Sequence, residues 1–258
     1  AVRVVRNGQV STIPPFGGVV TYHAIGIAAH HDGSFIVADY STTDGRGVVH
    51  RLREVGGVWV NQTLVGPTSG NNSPLKGPQG LVVDVAGNIL GTDRLLNFVF
   101  RIEAGTNAFS IFSGNGTARW ADGPQATSMF KDTNAVAIDS RGHLVVTNHR
   151  IRRISPEGVA STFAGDGVKR TADGVGPSSS FDDPAALAID AGDTLYVGEI
   201  AGRVRIVYAN GVVRTLIATS TNEFSLRAPC SIARISSPHG FAWGSPTFGT
   251  TQSLYIVE

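Results

Sequence analysis

Five polar residues recur along the chain at a spacing that could gather them into one site. They are Asp39, Asp93, Asn148, Glu199 and Glu258, separated by 54, 55, 51 and 59 residues. Four carboxylates and an amide offer oxygen ligands of the kind a hard cation takes, and calcium binds six to eight of them. The same groups could instead accept hydrogen bonds from a bound partner. Alternatively, each could accept the backbone N–H groups of its own loop, as Asp and Asn do at turns. A second set stands just ahead of the neighbouring apolar run in each repeat: His23, Gln79, Asn134, Ala185 and Cys230.

The segments that must position these residues are short. In the fullest copy, residues 134–158, an apolar run (135–138) is followed by Asp139 and Gly142. A β-branched run (143–147), Asn148, the run 150–154 and Gly158 come next. Runs rich in Val, Ile and Thr, punctuated by Gly, Asn, Asp and Pro, read as strands. No stretch keeps a helical period over ten residues. A unit of four strands that repeats about every fifty residues is one blade of a propeller, whose radial arrangement protects the sheet edges. The fifth copy supplies two runs, 230–234 and 253–257, with residues 235–252 read as an insertion between them. The missing pair lies at the other end. Residues 2–6, Asn7-Gly8 and 9–13 echo residues 204–208, Asn210-Gly211 and 212–217, and Asn-Gly between apolar runs signals a two-residue hairpin. The expected fold is therefore all-β: a five-bladed β-propeller of four-stranded antiparallel blades, closed by the N-terminal strands completing the C-terminal blade. The blades fall at about 22–66, 78–114, 133–165, 184–218, and 229–258 plus 1–13, in a single domain.

The phrases at 134–158 resemble the NHL-repeat family of β-propellers. Small-apolar strand, Asp, Gly, apolar strand, Asn148, Arg150-Ile-Arg-Arg-Ile154 and Pro156-Glu-Gly158 carry the likeness. The connectors 114–130 and 165–181 look like the longer version of that repeat. The fifth copy departs, with Arg234 in place of the expected Asp. The resemblance implies a recognition platform more often than an enzyme, so function must be argued from the site.

Composition sets further bounds. The 258 residues carry a net charge of +1, and 41% are hydrophobic, which suits one turn-dense β domain with a sizeable core. No apolar run is long enough to span a bilayer. The chain begins at Ala1 within an expected strand and carries no signal peptide, so it reads as a trimmed product or a piece of a longer protein. Cys230 is alone, which excludes an internal disulfide and a cysteine-pair zinc site. The sequons Asn61-Gln-Thr63, Asn71-Asn-Ser73 and Asn115-Gly-Thr117 lean towards a secreted or extracellular setting over the cytoplasm. Among the 21 basic residues arginine dominates, and the third strands of the blades are expected to carry Arg51, Arg53, Arg101, Arg150, Arg152, Arg153, Arg203, Arg205, Arg3 and Arg6. That repetition points to bracing by the planar guanidinium, with a phosphate-binding face as the alternative.

Propeller topology brings the start of each first strand and the end of each second strand to one face. The expected rim carries His23, Gln79, Asn134, Asp39, Asp93, Asn148, Glu199 and Glu258, with Tyr22, Trp120 and Trp243 as aromatic anchors. His30-His31 sit at the opposite end and read as solvated. His149 is read as rim or loop, and His239 as part of the fifth-repeat insertion. The leading expectation is a monomeric recognition scaffold for a protein, peptide or glycan. The first alternative is a metal-dependent hydrolase, lactonase or lyase holding calcium through Asp39, Asp93, Asn148, Glu199 and Glu258, with His23 as general base. A second alternative, single-stranded RNA binding, needs a basic rim, and the carboxylates oppose nucleic acid.

Overall fold

The computed structural model describes residues 3–6, 9–12, 22–41, 45–67, 73–217, 240–244 and 253–257. The fold is all-β, and the single helical element among those residues is a 3-10 turn, Gly176–Ser178. The chain divides into two compact units, Ala1–Thr133 and Asn134–Glu258.

In the first unit, β1 (Arg3–Arg6) and β2 (Gln9–Thr12) form a hairpin whose register leaves two residues, Asn7-Gly8, between the strands. A four-stranded antiparallel meander follows: β3 (Tyr22–Ala29), β4 (Phe35–Ser41), β5 (Gly47–Val55) and β6 (Val58–Val65). A second meander comprises β7 (Pro78–Val83), β8 (Ile89–Asp93), β9 (Phe98–Ile102) and β10 (Phe109–Ser113). Ile36, Ala38 and Val49 of one sheet pack with Leu81, Ile89 and Phe100 of the other in a shared core. The first strands approach so closely that a Cβ on Gly26 would lie 1.8 Å from the Gln79 carbonyl oxygen. Only a residue without a side chain fits there.

The second unit repeats the pattern with β11 (Val136–Ile138), β12 (Leu144–Thr147), β13 (Ile151–Ile154) and β14 (Ala160–Ala164). Its second sheet has five strands. The sheet order is β15 (Gly174–Val175), β19 (Val212–Ile217), β18 (Arg203–Val207), β17 (Leu195–Glu199) and β16 (Pro184–Ile189). The extra strand comes from the long connector, which the repeat pattern alone does not reveal. Val145, Ile151, Phe181, Leu187, Val197 and Val207 form this unit's core. A final pair, β20 (Gly240–Gly244) and β21 (Ser253–Val257), is antiparallel.

Three details differ from the sequence reading. The strand paired with β21 is β20, taken from the segment read as an insertion, whereas 230–234 lie outside the described residues. At Asn210-Gly211 the β18–β19 connection is not a two-residue turn. The Tyr208 amide bonds the Val212 carbonyl, three residues intervene, and Gly211 takes a φ of 82°, which is the three-residue hairpin built on a left-handed glycine. His30 and His31 are not simply solvated, since their Nε2 atoms lie 3.3 Å and 2.7 Å from the Gly87 and Asp84 carbonyl oxygens of the next sheet's hairpin.

The bracing role of arginine is visible at Arg205, which is fully buried. Its Nη1 donates to Glu199 Oε1 (3.0 Å) and the Ser180 carbonyl (2.9 Å). Its Nη2 donates to Asp173 Oδ1 (2.8 Å) and the Ala172 carbonyl (3.0 Å). The guanidinium also sits 5.3 Å from the centroid of the Phe181 ring, so one side chain ties the connector 172–181 to the sheet. Arg153 does similar work, 4.1 Å from the centroid of the Phe163 ring and 3.5 Å from Asp139.

Candidate functional site

One register recurs in the first–second strand pairs of the four larger sheets and in the β20–β21 pair. The residue two before each closing polar residue lies opposite a first-strand residue: Val37 with Ile27, Gly91 with Leu81, Val146 with Val136, Val197 with Leu187, and Ile256 with Phe241. In three pairs the ladder is interrupted just ahead of that point, between Ala24 and Gly26, Pro78 and Leu81, and Pro184 and Ala186. Such bulges leave a residue outside the ladder and re-aim the chain. Thr92 Oγ1 accepts the Gly80 amide at 3.1 Å within the second of these bulges, and in the unbulged β11–β12 pair Thr147 Oγ1 accepts that of Ala135 at 3.0 Å.

Counting two residues back from these partners gives equivalent positions at Ile25, Gln79, Asn134, Ala185 and His239. Gln79 and Ala185 lie inside β7 and β16, and Asn134 two residues ahead of β11, whereas the sequence reading sets all three just ahead of the first strands. His23 is likewise inside its strand, where it pairs with Tyr40 and Tyr22 pairs with Ser41, because β3 begins early. In β20–β21 the same count reaches His239; Cys230, His239 and Glu258 all lie outside the described residues. The signal is present in the sequence: Pro238-His239-Gly240 repeats the form of Pro78-Gln79-Gly80.

Asp39, Asp93, Asn148 and Glu199 are buried. Asp93 accepts four backbone N–H groups, from Lys76 (2.8 Å), Gly77 (3.1 Å), Leu95 (3.0 Å) and Leu96 (2.9 Å). Glu199 accepts the Thr171 hydroxyl at 2.9 Å, the Asp182 amide at 3.0 Å and the Arg205 guanidinium. Asn148 Oδ1 accepts the Arg150 amide at 2.8 Å, while its Nδ2 has no hydrogen-bond partner among the described residues although the side chain is 1% exposed. These are loop caps. Two of the proposed calcium ligands have thereby spent their oxygens internally.

What stands beside each closing residue depends on one position of the third strand, which lies opposite the residue two before it. That position is His50 next to Asp39, Phe100 next to Asp93, Arg152 next to Asn148 and Arg205 next to Glu199. Phe100 offers no cation, so Asp93 is held by amides alone, and Gly91 must lack a Cβ because one would lie 2.4 Å from the Phe100 ring. His50 Nε2 lies 3.5 Å from Asp39 Oδ2. Burial pushes the Asp39 carboxyl up and the His50 imidazole down to about 4. The pair is close in space, yet at neutral pH the imidazole is uncharged, so the contact is not an ion pair.

On the second unit, His149 Nδ1 lies 3.5 Å from Asp183 Oδ1, and Lys169 bonds the other Asp183 oxygen. Asp183 has a left-handed φ of 48°. Asn134 Nδ2 donates to the Pro184 carbonyl at 3.3 Å. Trp120 is half-buried, with Lys131 Nζ 5.4 Å from its ring centroid. Trp243 takes its place in β20 opposite Leu254. Among the described residues no group of three or more His, Cys, Asp or Glu side chains could hold a metal ion, and no helix is long and apolar enough to cross a membrane.

No protein-family model matches the chain, and no curated protein is similar to it in sequence. Solved structures are similar in fold. An auxiliary nutrient binding protein from Bacteroides thetaiotaomicron has a TM-score of 0.64 at 19% identity, covering 90% of this chain and 56% of that one. A putative gluconolactonase has a TM-score of 0.58 at 18% identity, covering 97% and 75%. Virginiamycin B lyase from Staphylococcus aureus has a TM-score of 0.54 at 14% identity, covering 98% and 75%. The chain thus spans little more than half the length of the nutrient binding protein. These neighbours are propeller-like proteins, and the likeness establishes a propeller-like, all-β fold for this chain.

Proposed function

We propose that the chain is an NHL-like, five-bladed propeller that serves as a recognition scaffold and binds a glycan, peptide or protein on its rim face. In this reading β20 and β21 are the first two strands of the fifth blade, and β1 and β2 are its last two. The common register of β20–β21 with the other four pairs supports the blade assignment. The observation that carries the function is the internal consumption of Asp93 and Glu199. A catalytic cation needs those oxygens free, whereas a binding face needs fixed loops that present uncharged amides. Gln79 and Asn134, both partly exposed, supply such amides, and Asn148 Oδ1 holds its own loop. The nutrient binding neighbour is consistent with this reading, and the gluconolactonase and lyase neighbours define the enzymatic alternative.

The test is a glycan array and a peptide panel, followed by calorimetry on any hit. Replacing Asn134 and Asn148 together by Ala should weaken binding at least about tenfold. The thermal midpoint should fall much less than for a change at Asp93. A calcium-dependent rise of several degrees in that midpoint, reversed by chelator, would overturn the reading in favour of the metal enzyme.

A further inference from the structure

The closing residue of the first sheet is finished differently from the others. Four amides hold Asp93, and an amide, a hydroxyl and the Arg205 guanidinium hold Glu199. Asp39 is 9% exposed, and its one polar neighbour among the described residues is His50 Nε2, at 3.5 Å, too long for a good hydrogen bond. Burial pushes that imidazole down to about 4, so it brings no charge at neutral pH.

The register explains the missing cap. Asp93 opposes Pro78 and Asp39 opposes Ala24, so the amides of Lys76, Gly77, Leu95 and Leu96 correspond to those of Tyr22, His23, Ser41 and Thr42. Tyr22 and His23 lie in the β3 ladder, opposite Ser41 and Tyr40. Ladder amides point within the sheet while a strand side chain stands out of it, so these two do not fold over the carboxylate. The Ser41 amide donates to the Arg46 carbonyl at 2.8 Å, and Thr42 lies outside the described residues. The cation is missing too. The third-strand position that gives Glu199 its arginine holds the shorter, neutral His50 in the first sheet.

A buried carboxylate without compensating charge or donors costs more than a neutral acceptor left unpaired. Burial raises the Asp39 carboxyl by more than the chain's amino group lowers it. The group is not sealed away, since Ala24 opposite it is exposed and Ile25 is 47% exposed. One carboxylate beside one imidazole falls far short of the oxygen shell of calcium. An organic cation needs only the carboxylate. Building on the rim-binding reading, we infer that Asp39 is the specificity residue of that face: it receives the guanidinium or ammonium of a basic side chain from a peptide or protein partner, as Glu199 receives Arg205.

The probes are N-acetylarginine methylamide and its uncharged isostere, N-acetylcitrulline methylamide, titrated to about 20 mM against the 15N-labelled protein. The Tyr40 and Ser41 amide signals should move and saturate with the arginine probe, and the citrulline probe should bind at least about tenfold more weakly. Asp39→Asn should abolish that preference, while Glu157→Gln, at an exposed carboxylate of the second unit, should leave it intact. Asp39→Asn should also melt at or above the parent, because it removes an uncompensated buried charge. Equal binding of the two probes, an arginine preference that survives in Asp39→Asn, or an Asn variant that melts several degrees lower as a lost cap would, each overturns the inference. A rim ligand from the arrays that is a neutral glycan, or that Asp39→Asn binds as well as the parent, also overturns it while leaving the rim reading in place. An arginine preference set by Asp39, with no rim ligand from any array, would support this site and remove the wider reading.

Discussion

Asp93 is predicted to be a structural residue, and the size of its effect can be worked out in advance. Asp93→Ala leaves four amide N–H groups, those of Lys76, Gly77, Leu95 and Leu96, without the carboxylate that now accepts them. A buried donor without a partner costs about 1–3 kcal/mol, and partial entry of water lowers the sum, so the loss should be about 4 kcal/mol. For a domain of this size each kcal/mol moves the melting midpoint by about 2–4 °C, giving a fall of about 10 °C. Asp93→Asn retains Oδ1, which takes the bonds from Gly77, Leu95 and Leu96, and should lose roughly half as much. Differential scanning calorimetry on the three proteins measures both values. An Asp93→Ala protein that melts within about 2 °C of the parent would refute the cap argument. So would an Asn variant less stable than the Ala variant.

Two further predictions concern the same unit. Burial lowers the His50 imidazole from 6.5 to about 4, so the unfolded chain takes up a proton first as pH falls. This group's contribution is whole above pH 6.5 and is lost between there and about pH 4, amounting to at most about 3 kcal/mol. Asp39 is raised and acts oppositely, becoming less costly as it protonates at the acid end. Urea denaturation at pH 7 and pH 5 should show a smaller loss in His50→Gln than in the parent; equal losses would rule out the buried neutral imidazole. Gly26→Ala would place a Cβ 1.8 Å from the Gln79 carbonyl, a main-chain atom that cannot rotate away. It should cost several kcal/mol or prevent folding, whereas Gly33→Ala, where nothing lies within 4 Å, should cost only the strain of a left-handed alanine, about 1 kcal/mol.

Much of the architecture is legible in the residues because the strands are short, β-branched and bounded by residues with one conformational purpose. Asp139, for instance, accepts the Arg141 and His143 amides and so shapes the hairpin that Gly142 closes at a φ of 80°. The fifth repeat is harder to read because it lacks that Asp-x-x-Gly hairpin: eight residues separate β20 from β21. The first inner strand is displaced from the position its sequence suggests because β3 extends past the closing Asp39 to pair with Tyr40 and Ser41. The capping role of Asp93 and Glu199 is an alternative that the sequence itself offers to ligand binding. The third-strand partner is only partly foreseeable: Arg152 and Arg205 keep the arginine that the sequence repeats there, whereas His50 and Phe100 take the same position, and only the register reveals that equivalence.

The proposed closure of the ring is open to a direct chemical measurement. If β1 is the third strand of the last blade, Val4 faces Tyr255 as Ile206 faces Tyr196. In a Cys230→Ser background, Val4→Cys with Tyr255→Cys should cross-link within one chain on mild oxidation or with a short bismaleimide. The yield should be comparable to that of Tyr196→Cys with Ile206→Cys. An efficient control pair beside a Val4–Tyr255 pair that never cross-links in folded protein would contradict the closed five-bladed ring.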